Sequence, residues 1–295
     1  MRKILAALLF LFIQIQSFKA QSGSGDDSNS KVRFGLRLTP QPSWFSSSDK
    51  NNLPNGPIMG YGFGLNVEIK FSSAASLLTG IGGDFEGGKI KFRNDPANNY
   101  QVCYFKDDAD AFIQPKNNTP ISDLKKAGNT VYVVSERKIN STFVSIPLIL
   151  KLSTKEIGAM KYFGLFGVEL GIRIKSKVAD KYNEIRKFKS DSTYDNIAPS
   201  TITDIDISKD ASLIPLRVGL NVGAGFEYRM VGNTAFFFSL NYFNSFTNFM
   251  RNDSKFMMYN WQTIDASKGN TNMNYKMVSQ TLLAKAIRIN LGFMF

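Results

Sequence analysis

Residues 59–71 read MGYGFGLNVEIKF and alternate large apolar residues with glycine or polar residues. Successive side chains of a β-strand point to opposite faces of the sheet, so a period of two predicts a strand with one apolar face. The polar positions hold three glycines followed by Asn66, Glu68 and Lys70. The apolar positions are Met59, Tyr61, Phe63, Leu65, Val67, Ile69 and Phe71.

The same period recurs along the chain and predicts seven further strands. The segments that share it are 32–40, 76–92, 142–153, 162–175, 216–230, 235–250 and the C-terminal segment 287–295. Nowhere after the N-terminal segment is there the run of about 18 apolar residues that a membrane-spanning helix needs. We therefore predict an all-β fold of eight antiparallel strands.

The two faces of these strands favour a transmembrane barrel over a soluble one. A soluble sandwich or lipocalin-like barrel also alternates, but its solvated face is usually rich in Lys, Glu, Thr and Ser. Here the polar face is rich in glycine with scattered Arg and Glu, while the other face is aliphatic and aromatic. Lipid outside the barrel and a crowded interior explain both faces. Tyrosines expected near the membrane interfaces are Tyr61, Tyr162, Tyr228 and Tyr242.

The predicted connections alternate between long and short. The long ones are 41–57, 93–130, 176–211 and 251–280, and the short ones are 72–75, 154–161 and 231–234. Outer-membrane barrels have an even number of strands, short periplasmic turns and long external loops. The order found here predicts an up-and-down barrel with four external loops and both termini in the periplasm.

The N-terminus indicates export. Residues 1–20 combine the basic pair Arg2 and Lys3 with an uncharged apolar run and a small residue, Ala20, at the expected cleavage position. Residues 21–30, QSGSGDDSNS, predict a flexible leader. We therefore expect a signal peptide at 1–20, a leader at 21–30 and a barrel domain at 31–295, located in the outer membrane.

The composition argues against catalysis. The chain has no histidine and one cysteine, Cys103, which excludes Ser-His and Cys-His nucleophiles, His-ligated zinc and an internal disulfide. Asp107, Asp108 and Asp110 lack the remaining positions of an EF-hand, so an acidic loop is the simpler interpretation. We expect no cofactor and no metal site.

Three segments resemble the PorT-like outer-membrane β-barrel family of Bacteroidota. Residues 143–152, FVSIPLILKL, are similar to a family strand that Pro147 interrupts, and 218–228, VGLNVGAGFEY, to its glycine-rich strand. Residues 289–295, INLGFMF, resemble its closing strand with a C-terminal aromatic residue. The resemblance covers roughly residues 30–295. It implies an eight-stranded outer-membrane barrel, and some family members are associated with secretion.

The polar face predicts a charged lumen. In an eight-stranded barrel the interior is only wide enough for side chains, and buried charges must be paired. We favour an ion-pair network that fills the lumen, with a charged permeation path as the alternative. The predicted lumen positions are Arg33, Arg37, Glu68, Lys70, Glu169, Arg173, Arg217, Glu227, Arg229 and Arg288, and Asp84, Glu86 and Lys151 share their face.

The third external loop is predicted to be basic. The formal net charge of the chain is +12, and the loop would attract lipid phosphates at the outer leaflet or an envelope protein. A solvated loop without a specific partner is the simpler alternative, and nucleic acid is not expected as a ligand. The candidate contacts are Lys175, Lys177, Lys181, Arg186, Lys187 and Lys189.

These observations predict a non-catalytic structural or interaction component of the cell envelope that supports secretion or surface assembly. The expected partners are outer-membrane lipid, lipopolysaccharide and other envelope proteins, and the barrel is expected to be monomeric. The main alternative is a small-solute channel. An enzyme acting on lipid is a more distant alternative, since it would need an active site without histidine.

Overall fold

The computed structural model describes residues 31–47, 52–93, 101–114, 121–190, 193–198, 200–206, 214–230, 232–250, 253–265, 270–279 and 281–295. The predicted signal peptide and leader lie outside these ranges. The described strands are β1 (Val32–Ser47), β2 (Asn52–Pro54), β3 (Ile58–Lys70), β4 (Ala75–Phe92), β5 (Gln101–Lys106), β6 (Thr130–Ser153), β7 (Met160–Phe188), β8 (Tyr194–Ile197), β9 (Thr201–Asp206), β10 (Leu216–Arg229), β11 (Ala235–Asn248), β12 (Asp253–Asp265), β13 (Asn270–Ser279) and β14 (Leu282–Met294), with one short helix, α1 (Ile121–Leu124).

Eight of these strands form a closed antiparallel ring. Its order is β1, β3, β4, β6, β7, β10, β11 and β14, and β14 pairs back onto β1, with Leu36 opposite Phe293. Each ring strand otherwise pairs with its neighbours along the chain. The prediction of an eight-stranded up-and-down barrel is confirmed, and closure leaves no free edge within the ring.

Three short connections lie at one end of the ring, the turn end, and four long connections at the other, the loop end. The short ones join β3 to β4, β6 to β7 and β10 to β11. The outward face of the ring carries exposed apolar side chains between the two ends. On β7 this band runs from Tyr162 to Ile174. Those positions span roughly 30 Å along the barrel axis at about 3.3 Å per residue and a tilt near 40°. That height matches the hydrocarbon layer of a membrane.

The long connections are more structured than the sequence predicts. β6 begins at Thr130 and β7 continues to Phe188. Residues 131–141, which lie between a predicted connection and a predicted strand, are therefore strand, and so are residues 176–188, predicted as a connection. Where β4 ends, β6 pairs with β5 instead. On its other side β5 pairs with β12, and β12 pairs with β13. Beyond the end of β10, β7 pairs with β9 and β8. We call β5, β8, β9, β12, β13 and the outer halves of β6 and β7 the strand extension.

The strand extension packs around two apolar clusters, the first of which it shares with the loop end of the ring. One cluster is centred on Phe45, Tyr104, Val134, Tyr182 and Phe249, all nearly inaccessible to solvent. A second cluster packs Cys103, Phe105, Val131, Phe188 and Met258 with Leu124 of α1. The extension is therefore a packed element continuous with the barrel wall. In the part of the chain that the structure describes, no helix is long and apolar enough to cross a membrane.

Candidate functional site

The lumen near the turn end holds four buried charges from four strands. Arg33 Nη1 donates to Glu68 Oε2 at 3.1 Å and to Glu227 Oε2 at 3.0 Å. Lys151 Nζ donates to Glu68 Oε1 at 3.0 Å and also to Glu227. Two cations and two carboxylates therefore form a neutral closed square, which we call the turn-end cluster. Ser76 Oγ donates to Glu68 Oε1 at 2.7 Å.

A second set of charges, the central cluster, lies farther into the barrel. Arg217 Nη2 donates to Glu169 Oε1 at 2.7 Å and lies 3.5 Å from Asp84 Oδ2, and its Nη1 donates to Glu86. Arg288 Nη1 donates to Glu169 Oε2 at 2.5 Å, and its Nη2 to Glu86 Oε2 at 3.3 Å. All five side chains are buried. Each guanidinium bridges at least two carboxylates, which offsets the desolvation of both.

Aromatic rings complete the surroundings of both guanidinium groups. The Arg217 guanidinium lies 4.3 Å from the centre of the Phe143 ring and 4.7 Å from that of Phe243, and Arg288 lies 4.2 Å from Phe243. These distances suit cation–π contacts. Arg288 Nε also donates to Gln41 Oε1 at 2.8 Å. These aromatic rings therefore bound the central cluster on the side that faces the loop end.

With Arg37, the number of cations in the lumen equals the number of acids. Its half-buried side chain passes over Gly82, where an added Cβ would stand 2.8 Å from Arg37 Nη2. A glycine at this inward position therefore leaves room for a guanidinium. The resulting set has as many cations as acids, namely Arg33, Arg37, Lys151, Arg217 and Arg288 against Glu68, Asp84, Glu86, Glu169 and Glu227.

The space between the clusters is small. A cavity of about 30 Å³ reaches from Lys151 and Glu227 to Asn221 and Asn241, enough for a few water molecules. Asn241 Nδ2 donates to Asn221 Oδ1 at 2.7 Å, and Asn290 Nδ2 donates to Asn241 Oδ1 at 3.1 Å. Polar side chains therefore cross the lumen at this level too.

The remaining predicted lumen residues lie outside these clusters. Arg229 is exposed at the turn end and pairs with Glu156 at 2.9 Å. Lys70 is half-buried at the end of β3, and no ion pair joins it to another described residue. The Arg173 guanidinium lies 5.7 Å from the centre of the Phe249 ring, at the loop end.

A further buried polar group, which was not predicted from the sequence, lies inside the strand extension. Arg137 and Asp180 form a bidentate pair at 2.7 and 2.6 Å, and the Tyr104 and Tyr182 hydroxyls lie 2.5 Å apart. Burial raises the pKa of both tyrosines well above the usual value. Arg137 lies directly opposite Asp180 across β6 and β7. That cross-strand relation would have revealed the pair, had both segments been predicted as strands.

The predicted basic loop is largely strand β7. Lys177 pairs with Asp204 at 2.9 Å, Arg186 with Glu184 at 2.5 Å and Lys189 with Asp195 at 2.6 Å, all at partly exposed positions. Lys175 and Lys177 directly follow the lipid-facing band. The other four residues lie farther along the extension, and Lys187 is twelve positions beyond Lys175, about 40 Å along the strand. They are Lys181, Arg186, Lys187 and Lys189.

The acidic segment after β5 is stabilised by hydrogen bonds to nearby residues. Lys106 Nζ donates to Asp110 Oδ1 at 2.9 Å, and Asp107 Oδ1 accepts from the backbone N–H groups of Ala109 and Ala111. Among the described residues there is no group of three or more side chains that could hold a metal ion.

Comparisons with known proteins agree with this geometry. A family model described as "Outer membrane protein beta-barrel domain" matches residues 16–251. No curated protein sequence matches the chain. Among solved structures, the chain is similar to neisserial surface protein A, with 10% identity over 88% of this chain and 95% of that one and a TM-score of 0.31. It is also similar to OprG of Pseudomonas aeruginosa, with 11% identity, coverages of 92% and 99% and a TM-score of 0.34.

The family match spans most of the chain, and the closed ring of eight strands independently has the architecture that the family's description names. The chain therefore belongs to the outer membrane protein β-barrel domain family and is an outer-membrane β-barrel protein.

Proposed function

We propose that this protein is a non-catalytic structural or interaction component of the cell envelope, in which a rigid barrel carries the strand extension at the membrane surface. The observation that supports this most is the occupied lumen. Five cations and five acids fill it, and buried apolar side chains follow at the loop end. A barrel filled in this way would anchor a surface element, and the described side chains would obstruct an aqueous path through it.

The orientation follows the usual arrangement of such barrels. Short turns face the periplasm and long connections face outward, so the strand extension would be exposed to the exterior and both termini would be periplasmic. The apolar run at 4–13, preceded by Arg2 and Lys3, would serve as a cleaved signal peptide. A monomeric barrel suffices for this role, since the ring closes within one chain.

The resemblance to PorT-like proteins suggests the process. We propose that the protein belongs to this branch of the family and supports secretion or surface assembly by contact with other envelope proteins. The strand extension is the natural contact surface, since it is packed, stands clear of the lipid-facing band and displays basic side chains such as Lys181 and Lys187.

Single-channel recording separates this proposal from a small-solute channel. The purified full chain is inserted into planar lipid bilayers, and heat-modifiable migration on gels verifies that the barrel is folded. We expect no discrete openings, because the turn-end cluster, the central cluster and the apolar cores obstruct the lumen in succession. A porin in the same bilayers serves as the positive control. Reproducible conductance steps from the folded chain would refute the scaffold proposal and establish the channel.

A further inference from the structure

Four lysines on three adjoining strands lie just beyond the lipid-facing band, at its loop end. Lys89 of β4 lies directly opposite Lys138 of β6, while Lys175 and Lys177 of β7 lie opposite Thr142 and Asn140 of β6. Their inward neighbours, such as Ile139 and Val178, are buried, so the alternation of the strands directs the lysines outward. We call these four residues the lysine face.

Among the described residues, positive charge exceeds negative charge on the lysine face, where Asp204 is the acid paired with Lys177. Like charges directly opposite one another destabilise a sheet, yet among the described residues neither Lys89 nor Lys138 has an ion-pair partner, and the same holds for Lys175. Lys177 Nζ lies 2.9 Å from Asp204 Oδ1, but both side chains are well exposed, so this pair is weak.

The next row of residues across β4, β6 and β7, farther from the membrane, has a different pattern of charge. There, Glu136 of β6 lies opposite Lys91 of β4 on one side and Lys181 of β7 on the other. An acid therefore separates the two lysines in the row farther from the membrane. In the row nearer to the membrane, Lys138 lies between Lys89 of β4 and Ala179 of β7, so this row contains no acid. Lysines that face one another without an intervening acid thus lie next to the edge of the lipid-facing band.

A pocket of about 240 Å³ opens beside the lysine face. It exists because the β3–β4 ladder ends at Tyr61 and Phe85, while β4 next pairs with β2 only from Ile90 onward. Lys175 and Lys177 line one side of the pocket, and Met59, Tyr61 and Phe85 line the other. Glu86 at its inner wall is already bound by Arg217.

The pocket thus combines an apolar wall with two cations. Met59 is 75% exposed and Tyr61 is 54% exposed, so both are free to contact a hydrocarbon chain. Lysine is a common ligand for phosphate as a point charge, and its aliphatic stem can lie along an apolar surface while the ammonium group reaches the polar layer. This arrangement fits an amphipathic anion better than a small soluble one.

We infer that the lysine face and the adjoining pocket bind a diphosphorylated glycolipid of the lipid A class from the surrounding leaflet. Its phosphates would contact Lys89, Lys138 and Lys175, and an acyl chain would lie against Met59 and Tyr61. Neighbouring strands are about 4.8 Å apart, and Lys175 lies four residues, about 13 Å, along β7 from Ala179, the position opposite Lys138. The lysines therefore cover the width of two phosphate groups. The inference rests on the outward orientation of the loop end in the proposed function.

The test is lipid binding by the purified full chain in detergent, followed by native mass spectrometry. The probes are diphosphoryl lipid A, its monophosphoryl form, phosphatidylglycerol and inorganic phosphate. The quadruple variant K89Q/K138Q/K175Q/K177Q is compared with K31Q/K126Q/K155Q/K161Q, which removes the same charge at positions outside the lysine face. If the first variant does not fold, the two double variants K89Q/K138Q and K175Q/K177Q replace it.

We expect wild type to bind diphosphoryl lipid A more tightly than the other three probes. A lysine near an anionic lipid surface contributes about fivefold to affinity, so the lysine-face variant should lose at least ~100-fold, whereas the control variant should stay within about twofold of wild type. Unchanged affinity in the lysine-face variant, or equal affinity of wild type for phosphatidylglycerol, would overturn the inference. Binding in detergent depends on neither conductance nor orientation, so this failure is distinguishable from failure of the scaffold proposal.

Discussion

Replacing Glu169 with glutamine should destabilise the barrel severely, because this carboxylate is shared by two buried arginines. Its side chain is inaccessible to solvent and accepts from Arg217 at 2.7 Å and from Arg288 at 2.5 Å. Asn221 Nδ2 lies 3.4 Å from its second oxygen. The substitution keeps the shape of the side chain but leaves the lumen with one uncompensated positive charge.

The expected magnitude follows from the burial of both partners. Removing one member of a buried ion pair costs about 3–5 kcal/mol. Glutamine can still accept one hydrogen bond, and Arg217 and Arg288 both retain Glu86, so we expect about 3 kcal/mol, the lower end of that range. Near room temperature this lowers the ratio of folded to unfolded protein by roughly 150-fold.

The measurement is reversible urea unfolding of the protein in phospholipid vesicles, monitored by heat-modifiable migration. The matched control is Glu156→Gln, which removes a carboxylate from the exposed pair with Arg229 and should cost at most about 1 kcal/mol. The double variant E169Q/R217Q restores the charge balance. Its destabilisation should fall short of the sum of the single variants by about 1–3 kcal/mol.

A loss below about 1 kcal/mol for Glu169→Gln, equal to that of the exposed control, would refute the reasoning. It would mean that water reaches the central cluster and screens its charges. Strict additivity in the double variant would refute the direct coupling of Glu169 to Arg217, although both are buried.

Two further predictions concern the strand extension. In intact cells a membrane-impermeant maleimide should label Lys187→Cys but not Lys155→Cys. Wild type should stay unlabelled, because burial raises the pKa of the Cys103 thiol to about 12. Labelling of Lys155→Cys but not of Lys187→Cys would contradict an outward loop end. Burial, followed by the charge of Asp180, raises the pKa of Tyr104. The neutral phenol therefore stabilises the extension fully below about pH 10, and this contribution decreases as the pH rises further. The part of the tyrosinate absorbance that Tyr104→Phe removes should rise late and together with unfolding, and Tyr104→Phe should weaken the alkaline loss of stability. Early titration of this part, independent of unfolding, would contradict the prediction.

The barrel could be predicted from the sequence because lipid imposes a strict rule on each strand. Every outward residue between Tyr162 and Ile174 of β7 meets hydrocarbon, so the apolar alternation is regular and readable. The same alternation identified the inward charges, since Glu169, Arg217 and Arg288 occupy the other face. For Arg229 the alternation predicts an inward position that is wrong, because at the end of a strand the side chain reaches solvent instead of the lumen.

The strand extension could not be predicted in the same way. Beyond the lipid, an outward side chain faces water or another loop, so no rule enforces alternation. Residues 130–134 of β6, for instance, are buried on both faces of the sheet except Tyr132, which is half-buried. The strands there are held by pairing with β5, β8 and β9, which lie inside segments predicted as connections.

The sequence by itself determined that the chain forms a membrane barrel, how many strands close it and which face of the strands carries the lumen charges, because each of these depends only on local periodicity and the order of the connections. Which charges meet was decided by the tertiary structure. Arg217 and Glu86 are 131 positions apart and Arg288 and Glu86 are 202 apart, so their contact depends on the register of every intervening strand. The β4–β6 and β6–β7 pairings likewise brought Lys89, Lys138 and Lys175 to one surface, since a cross-strand neighbour is defined by register and not by spacing along the chain.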